Sequence, residues 1–344
     1  MKKKSIKIIL SIVVLIILVV AVAGGMVYSR LNTQAFNIEK PTFIYIDEKK
    51  SYNDLLSQLK SVGQINNIHF FKQLASQMRY PENIKAGKYE INPDITYLEL
   101  VRMLRGGQQT PVKLTFNNIR LKEDFAKRIG EQLMLSSDTL LEILNDSKRC
   151  EALGFDTNTI LTLFIPNTYE IYWNTSIENF LERMKKEYDR FWTEERFAKA
   201  RAISLSPIDI AILASIVEEE TAAKEEFPIV AGLYINRLKK GMLLQADPTV
   251  KFAVGDVTLK RILIAHTLTD SPYNTYRNTG LPPGPIRIPS ISGMEGVLNY
   301  KNHPYIYMCA KEDFSGTHNF AITLSEHNQN ARRYQAALNR NNIR

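Results

Sequence analysis

From Ile8 to Val27 the chain carries no charged side chain and is rich in Ile, Val and Leu. As a helix rising about 1.5 Å per residue, a run of this length spans a hydrocarbon core of about 30 Å. Lys2, Lys3, Lys4 and Lys7 precede it and only Arg30 follows closely. The positive-inside rule therefore puts residues 1–7 in the cytosol and the rest of the chain across the cytoplasmic (inner) membrane, on its periplasmic or outer side. The segment "AVAGG" at Ala21 to Gly25 has the small residues of a leader-cleavage site, so a removed signal peptide is the rival reading. The apolar run continues past that site, which favours a retained single-pass anchor. No cysteine adjoins it, so a lipoprotein anchor is excluded. Both readings export the remainder and disfavour a cytosolic metabolic enzyme.

The anchor also accounts for most of the net charge of +8. Residues 1–34 contribute +5 and everything after them only +3 (8 − 5). A nucleic-acid partner would call for a concentrated basic face, and none is seen. Apolar content of 44% with 23% charged residues is that of a folded globular protein. The two cysteines, Cys150 and Cys309, have no metal or redox spacing and leave room for one long-range disulfide. The five histidines lack ligand spacing, so neither metal nor cofactor is expected.

Periodicity and caps divide the exported part in two. A polar linker, 29–40, leads into a small α/β module, 41–110, ordered strand, helix, helix, strand, helix. Its strands are Phe43 to Asp47 and Gly87 to Ile91. Ser51 caps one helix, Phe70, Phe71, Leu74 and Met78 form the stripe of the next, and Thr96 opens a third that Gly106 and Gly107 stop. A larger mixed α+β unit, 111–344, opens with a strand at Val112 to Phe116. Helices follow near 121–133, 137–146, 176–200, 207–222 and 228–240. Beyond Gly241 the chain reads as loop-rich, with a short strand near Tyr305 to Ala310. The fold class is α+β behind a transmembrane helix at 8–28.

Within the larger unit, "SPIDIAILASIVEEET", Ser206 to Thr221, is apolar almost all round and ends in three glutamates. Ser206 with Asp209 makes a capping box and Pro207 suits the first helical position. In that phase the carboxylates point about 100° apart. Glu218 lies over Ala214 and Ala211, Glu219 over Ser215, and Glu220 over Ile216, Val217 and Leu213. Glu220 is thus the carboxyl set against the bulkiest apolar row, where the protonated form is favoured. A carboxylic acid kept protonated near neutral pH is what a general acid needs. Periodicity alone equally allows a helix end with three solvated charges, at a mild cost against the helix dipole.

Downstream come "AGLYINRLKKGMLLQADPTVKFAVG" (231–255), "SPYNTYRNTGLPPGPI" (271–286), "GTHNF" (316–320) and "SEHN" (325–328). With Glu-x-Glu-Thr at 218–221 ahead of them, this succession resembles the YceG-like family of membrane-anchored endolytic lytic transglycosylases across nearly the whole chain. The resemblance implies a LysM-like module at 41–110 and a catalytic domain at 111–344. It also implies peptidoglycan glycan strands as substrate and peptidoglycan synthases as candidate partners. The family's acid/base, the glutamate before the threonine, falls on Glu220. Such an enzyme uses no water: one carboxyl protonates the oxygen between N-acetylmuramic acid and N-acetylglucosamine. The same group then takes the proton of the muramic C6 hydroxyl as that oxygen closes a 1,6-anhydro end.

On this reading Gln245, Asp247 and Thr249, with Asn274 and Tyr276, line a sugar groove. "GLPPGPI" forms a stiff wall in which Gly280 and Gly284 permit close approach. The same residues also fit plain turn chemistry. His318 is expected to be a core histidine bonded to tyrosine or backbone. Glu219 sets a like charge beside Glu220, which either raises the pKa of that neighbour or competes with it in mutagenesis. Glutamine substitutions should cost activity most at Glu220, less at Glu218 and least at Glu219, with all three proteins melting alike. Two other classes stay open: a hydrolytic muramidase with Asp247 as second carboxylate, and a non-catalytic wall-binding scaffold. A lyase making a folate precursor conflicts with export.

Overall fold

The computed structural model describes residues 2–61, 64–256, 258, 259 and 261–341, and side chains from Lys7 onward. The lysine cluster at 2–4 therefore lies outside the described side chains. Helix α1 (Lys2–Leu31) contains a segment, Lys7–Leu31, long and apolar enough to cross a membrane, with mean hydropathy 3.2 and none of it buried.

Two compact units follow. The first comprises residues 1–113 with 132–134 and 170–175; the second holds the remainder. In the first unit, β1 (Thr42–Ile46) pairs antiparallel with β2 (Gly87–Ile91), in the register Ile44 to Tyr89. Between them run α2 (Tyr52–Ser61) and α3 (Ile68–Gln77), and α4 (Tyr97–Gly106) follows. Local signals set these ends. Ser51 Oγ accepts from Asp54 N, Thr96 and Glu99 form a capping box, and Gly107 closes α4 at φ 69°. The apolar faces of these elements meet in one core around Leu55, Leu59, Phe71, Tyr89 and Leu100. Residues 29–40 are not a free linker. Gln34 bridges Thr96, Phe36 bridges Ile65, and Ala35 and Phe36 are buried in this core.

The second unit is built around one helix. From residue 112 onward the elements are β3 (Val112–Thr115), α5 (Lys122–Gly130), α6 (Ser137–Asn145), α7 (Ser147–Leu153), β4 (Thr168–Ile171), α8 (Ile177–Phe191) and α9 (Glu194–Ala202). They continue with α10 (Pro207–Glu220), α11 (Phe227–Lys239), α12 (Asp247–Val254), α13 (Ile264–Thr267), α14 (Ile291–Leu298), β5 (Tyr307–Ala310), β6 (His318–Ala321) and α15 (Leu324–Arg340). The chain from Ile210 to Val217 is buried on every face, packed by α11, α12 and α14, which explains an apolar helix without a polar stripe.

One expectation changes here. The helix foreseen at 176–200 is two helices, because Thr193 starts a new one by capping Arg196 N. The region after Gly241 is loop-rich, as expected, with the helices α12, α14 and α15 set into it. Asp247-Pro248 opens α12 with proline in its first turn, a place where its missing N–H costs nothing. Cys150 and Cys309 are both free thiols, so the disulfide for which the sequence leaves room is not formed.

Candidate active site

The three glutamates at the end of α10 have three different fates. Glu218 turns to the start of α14. Its carboxylate accepts the backbone N–H of Ser290 at 3.1 Å and the Ser290 hydroxyl, and lies 3.6 Å from Arg287 Nε. Glu219 sits between two guanidiniums: Arg120 donates to both its oxygens at 2.7 and 2.9 Å, and Arg287 to Oε1 at 2.8 Å. These arginines also answer the dipole problem of three negative charges at a helix C-terminus. Among the described residues, no Lys, Arg or His forms an ion pair with Glu220. Its Oε1 accepts only the Tyr234 hydroxyl, at 2.6 Å.

Glycine at 293 is part of this arrangement. A Cβ there would stand 2.4 Å from Glu218 Oε1, so only glycine lets the carboxylate reach the α14 N-terminus. Gly293→Ala should destabilise the unit by about 1–3 kcal/mol, read as a lowered melting temperature. An unchanged melt would show that the carboxylate can move aside freely.

Glu220 forms the floor of a cavity of about 270 Å³. Four elements supply its wall: the end of α10, Tyr234 and Arg237 from one face of α11, Asp247 at the start of α12, and the β5–β6 hairpin with Met308 and His318. Gln245 and Tyr276 come from loops. A larger cavity of about 460 Å³ runs along α5, so volume is not what marks the site. What marks it is the acid. Burial raises the Glu220 carboxyl from 4.5 to about 7. The Tyr234 hydrogen bond pulls the other way, Asp247 raises it further, and Arg237 and Lys251 lower it. The carboxylate of Glu219 is turned away to Arg120 and Arg287. The neighbouring negative charge that counts is Asp247, brought in by α12.

The remaining sequence candidates separate by burial. Gln245 and Asp247 are exposed in the cavity, and Tyr276 is half-buried there with its hydroxyl donating to Asp247 Oδ1 at 2.6 Å. Gln245 holds φ 50°, a left-handed conformation that non-glycine residues rarely take. It is pinned there by bonds from its own N–H and that of Ala246 to Thr275. Thr249 and Asn274 do not line the cavity. Both are fully buried: Thr249 Oγ1 bonds Ala246 O and the Thr275 hydroxyl, and Asn274 Nδ2 bonds Thr267 O and Thr269 O. They are the frame that holds Gln245 and Tyr276 in place. The "GLPPGPI" segment is likewise a brace on α10, through Ile286 N to Ser215 Oγ at 3.1 Å. Gly284 does allow close approach, since a Cβ would meet Asn158 O at 2.3 Å, but Gly280 serves a turn at φ 82° with open space around it.

Two groups were missed or misjudged from sequence. Arg237 is buried and donates to the carbonyls of Ile306 and Leu244, tying the approach to β5 to the loop before α12. His318 is bonded neither to tyrosine nor, through its ring, to backbone; its Nδ1 lies 2.8 Å from Glu226 Oε2. Nothing in the spacing of Glu226 and His318 signals that pair, because it closes over 92 residues.

Against known proteins, residues 44–333 match the YceG-like family. An endolytic murein transglycosylase of Bacillus subtilis (strain 168) is 27% identical over 336 residues, covering 92% of both chains. One of Streptococcus pneumoniae (strain D39) is 24% identical, covering 86% of this chain and 58% of its own length. A crystal structure of a YceG-like protein from Listeria monocytogenes superposes with TM-score 0.54 at 27% identity, covering 85% of this chain and 99% of that one. A family match running from residue 44 to residue 333 means that this chain belongs to the YceG-like family.

Proposed function

We propose that the chain is an endolytic peptidoglycan lytic transglycosylase, a lyase that breaks the β-1,4 bond between N-acetylmuramic acid and N-acetylglucosamine within nascent strands and so ends their elongation. The observation that carries this is the isolation of Glu220: two adjacent glutamates are tied to arginine or a helix start, and the third is held as an acid near neutrality. The names of the Bacillus and Streptococcus relatives support the same reading.

Chemically, Glu220 protonates the glycosidic oxygen as the C1–O bond breaks. The muramic C6 oxygen bonds C1, and the proton it releases returns Glu220 to its acid form by the end of the turnover. Gln245, Asp247 and Tyr276 offer amide, carboxylate and hydroxyl groups to acetamido and hydroxyl partners on the glycan. Tyr234 orients the acid, and Arg237 keeps the cavity from accumulating negative charge.

Asp247 in the same cavity supports a second reading, a hydrolase in which it activates water. Mass analysis of glycans treated with the chain from residue 35 onward separates the two. Transglycosylation gives 1,6-anhydro-muramic ends, lighter by one water than hydrolytic products; reducing muramic ends would instead assign Asp247 the second role. The small α/β unit is read as a LysM-like glycan-holding module, and peptidoglycan synthases are its natural neighbours in strand synthesis.

The anchor is read as single-pass with the N-terminus in the cytosol and the catalytic unit outside. A reporter fused after Arg344 should be active only beyond the cytoplasmic membrane, with the protein resisting alkaline wash. Recovery in the soluble periplasmic fraction would instead support cleavage near Ala23.

A further inference from the structure

Glu226 is a buried carboxylate that the reading above does not use. It lies in the 3₁₀ turn that leads into α11 and is fully engaged: Thr221 Oγ1 donates to Oε2 at 3.0 Å, the backbone N–H of His318 to Oε1 at 2.8 Å, and the His318 ring to Oε2 at 2.8 Å. Both Glu226 oxygens already accept hydrogen bonds from Thr221 and the His318 backbone, which favours the tautomer with its hydrogen on His318 Nδ1. In that tautomer Nε2 is the accepting nitrogen. His318 lines the same cavity as Glu220, with its side chain 14% exposed, and among the described residues no protein group bonds Nε2. A buried carboxylate that fixes the imidazole and leaves its far nitrogen free toward a reacting hydroxyl is the arrangement of a carboxylate–histidine base.

We propose that His318, held by Glu226, is the group that accepts the proton of the attacking sugar hydroxyl in this cavity, and that Glu220 acts on the leaving side. This rests on the transglycosylase reading. The balance is complete without a co-reactant. The proton of Glu220 forms the new O–H on the departing sugar as the C1–O bond breaks. The C6 O–H breaks, its proton forms an N–H on His318 Nε2, and the C6 oxygen takes the vacant bond at C1. The imidazolium, stabilised by Glu226, then returns that proton through cavity water to the Glu220 carboxylate. Thr221 links the two halves, since it follows Glu220 directly and bonds Glu226.

The division of labour predicts a signature that a structural role would not give. Without its base the internal hydroxyl captures C1 more slowly, and water competes. His318→Gln should lower kcat by about 100-fold with little change in KM, and Glu226→Gln by about 10-fold, within the usual range for general acid–base groups. Both should raise the proportion of reducing to 1,6-anhydro muramic ends. That ratio does not depend on how much of the protein is folded, so it remains readable in a destabilised variant. An unchanged ratio in both variants, or a rise in KM with kcat intact, overturns the assignment. Wild-type products that are wholly reducing would instead remove the transglycosylase reading beneath it.

Discussion

Replacing Glu220 with glutamine lowers turnover by about 10²–10⁴-fold and, above pH 7, makes the protein more stable than the wild type. The loss of turnover follows from the proton that the amide cannot give. The gain in stability follows from the same burial that makes the acid. In the unfolded chain the carboxyl titrates near 4.5, and in the fold near 7. Below the lower value both states hold the proton and ionisation costs nothing. Between the two the unfolded chain releases its proton while the folded one keeps it, so stability falls as pH rises. Above about 7 the fold carries a desolvated carboxylate, at a full cost of about 3 kcal/mol. Glutamine removes that cost. Melting curves of the two proteins should therefore coincide near pH 4 and separate through pH 5–7. A gap independent of pH would mean that Glu220 is not the buried acid. Wild-type activity should also fall about tenfold per pH unit above pH 7, as the acid form is depleted.

Arg287→Met should be the most destabilising single change near the site. Arg287 is 14% exposed and faces both Glu218 and Glu219, whose side chains are 6% and 20% exposed. Without it, two mostly buried carboxylates share a helix end with Arg120 alone. Removing one partner of such a network costs about 3–5 kcal/mol, a drop of roughly 10 °C in the melting of this unit. Adding Glu219→Gln to Arg287→Met should restore part of the loss, because it removes the charge left unmatched. Additive losses in the double variant would show that the two side chains act independently. Given this network, the three glutamine variants should melt differently rather than alike. Glu218→Gln weakens a helix-start acceptor, Glu219→Gln leaves two arginines facing a neutral amide, and Glu220→Gln removes a carboxylate that is costly to ionise in the fold.

The sequence by itself determined what depends on neighbours within a turn or two of chain. The apolar run of α1, the Ser206–Asp209 box that starts α10 and the Thr96–Glu99 box of α4 are i to i+3 or i to i+4 effects. The phase of α10 is of the same kind, and it set Glu220 against Ile216 and Val217 before any partner was known. Tertiary structure decided everything that depends on who arrives from far along the chain. Arg120 and Arg287 come from 99 and 68 residues away to neutralise Glu219. Ser290 comes from 72 residues away to take Glu218. Thr249 and Asn274 carry the same polar atoms as groove residues, but the fold spends those atoms on Thr275, Thr267 and Thr269. Glu226 and His318 meet only because α11 and the β5–β6 hairpin close on one cavity. A carboxylate's chemistry is set by its desolvation and its counter-charges, and counter-charges are supplied by contacts that no local pattern records.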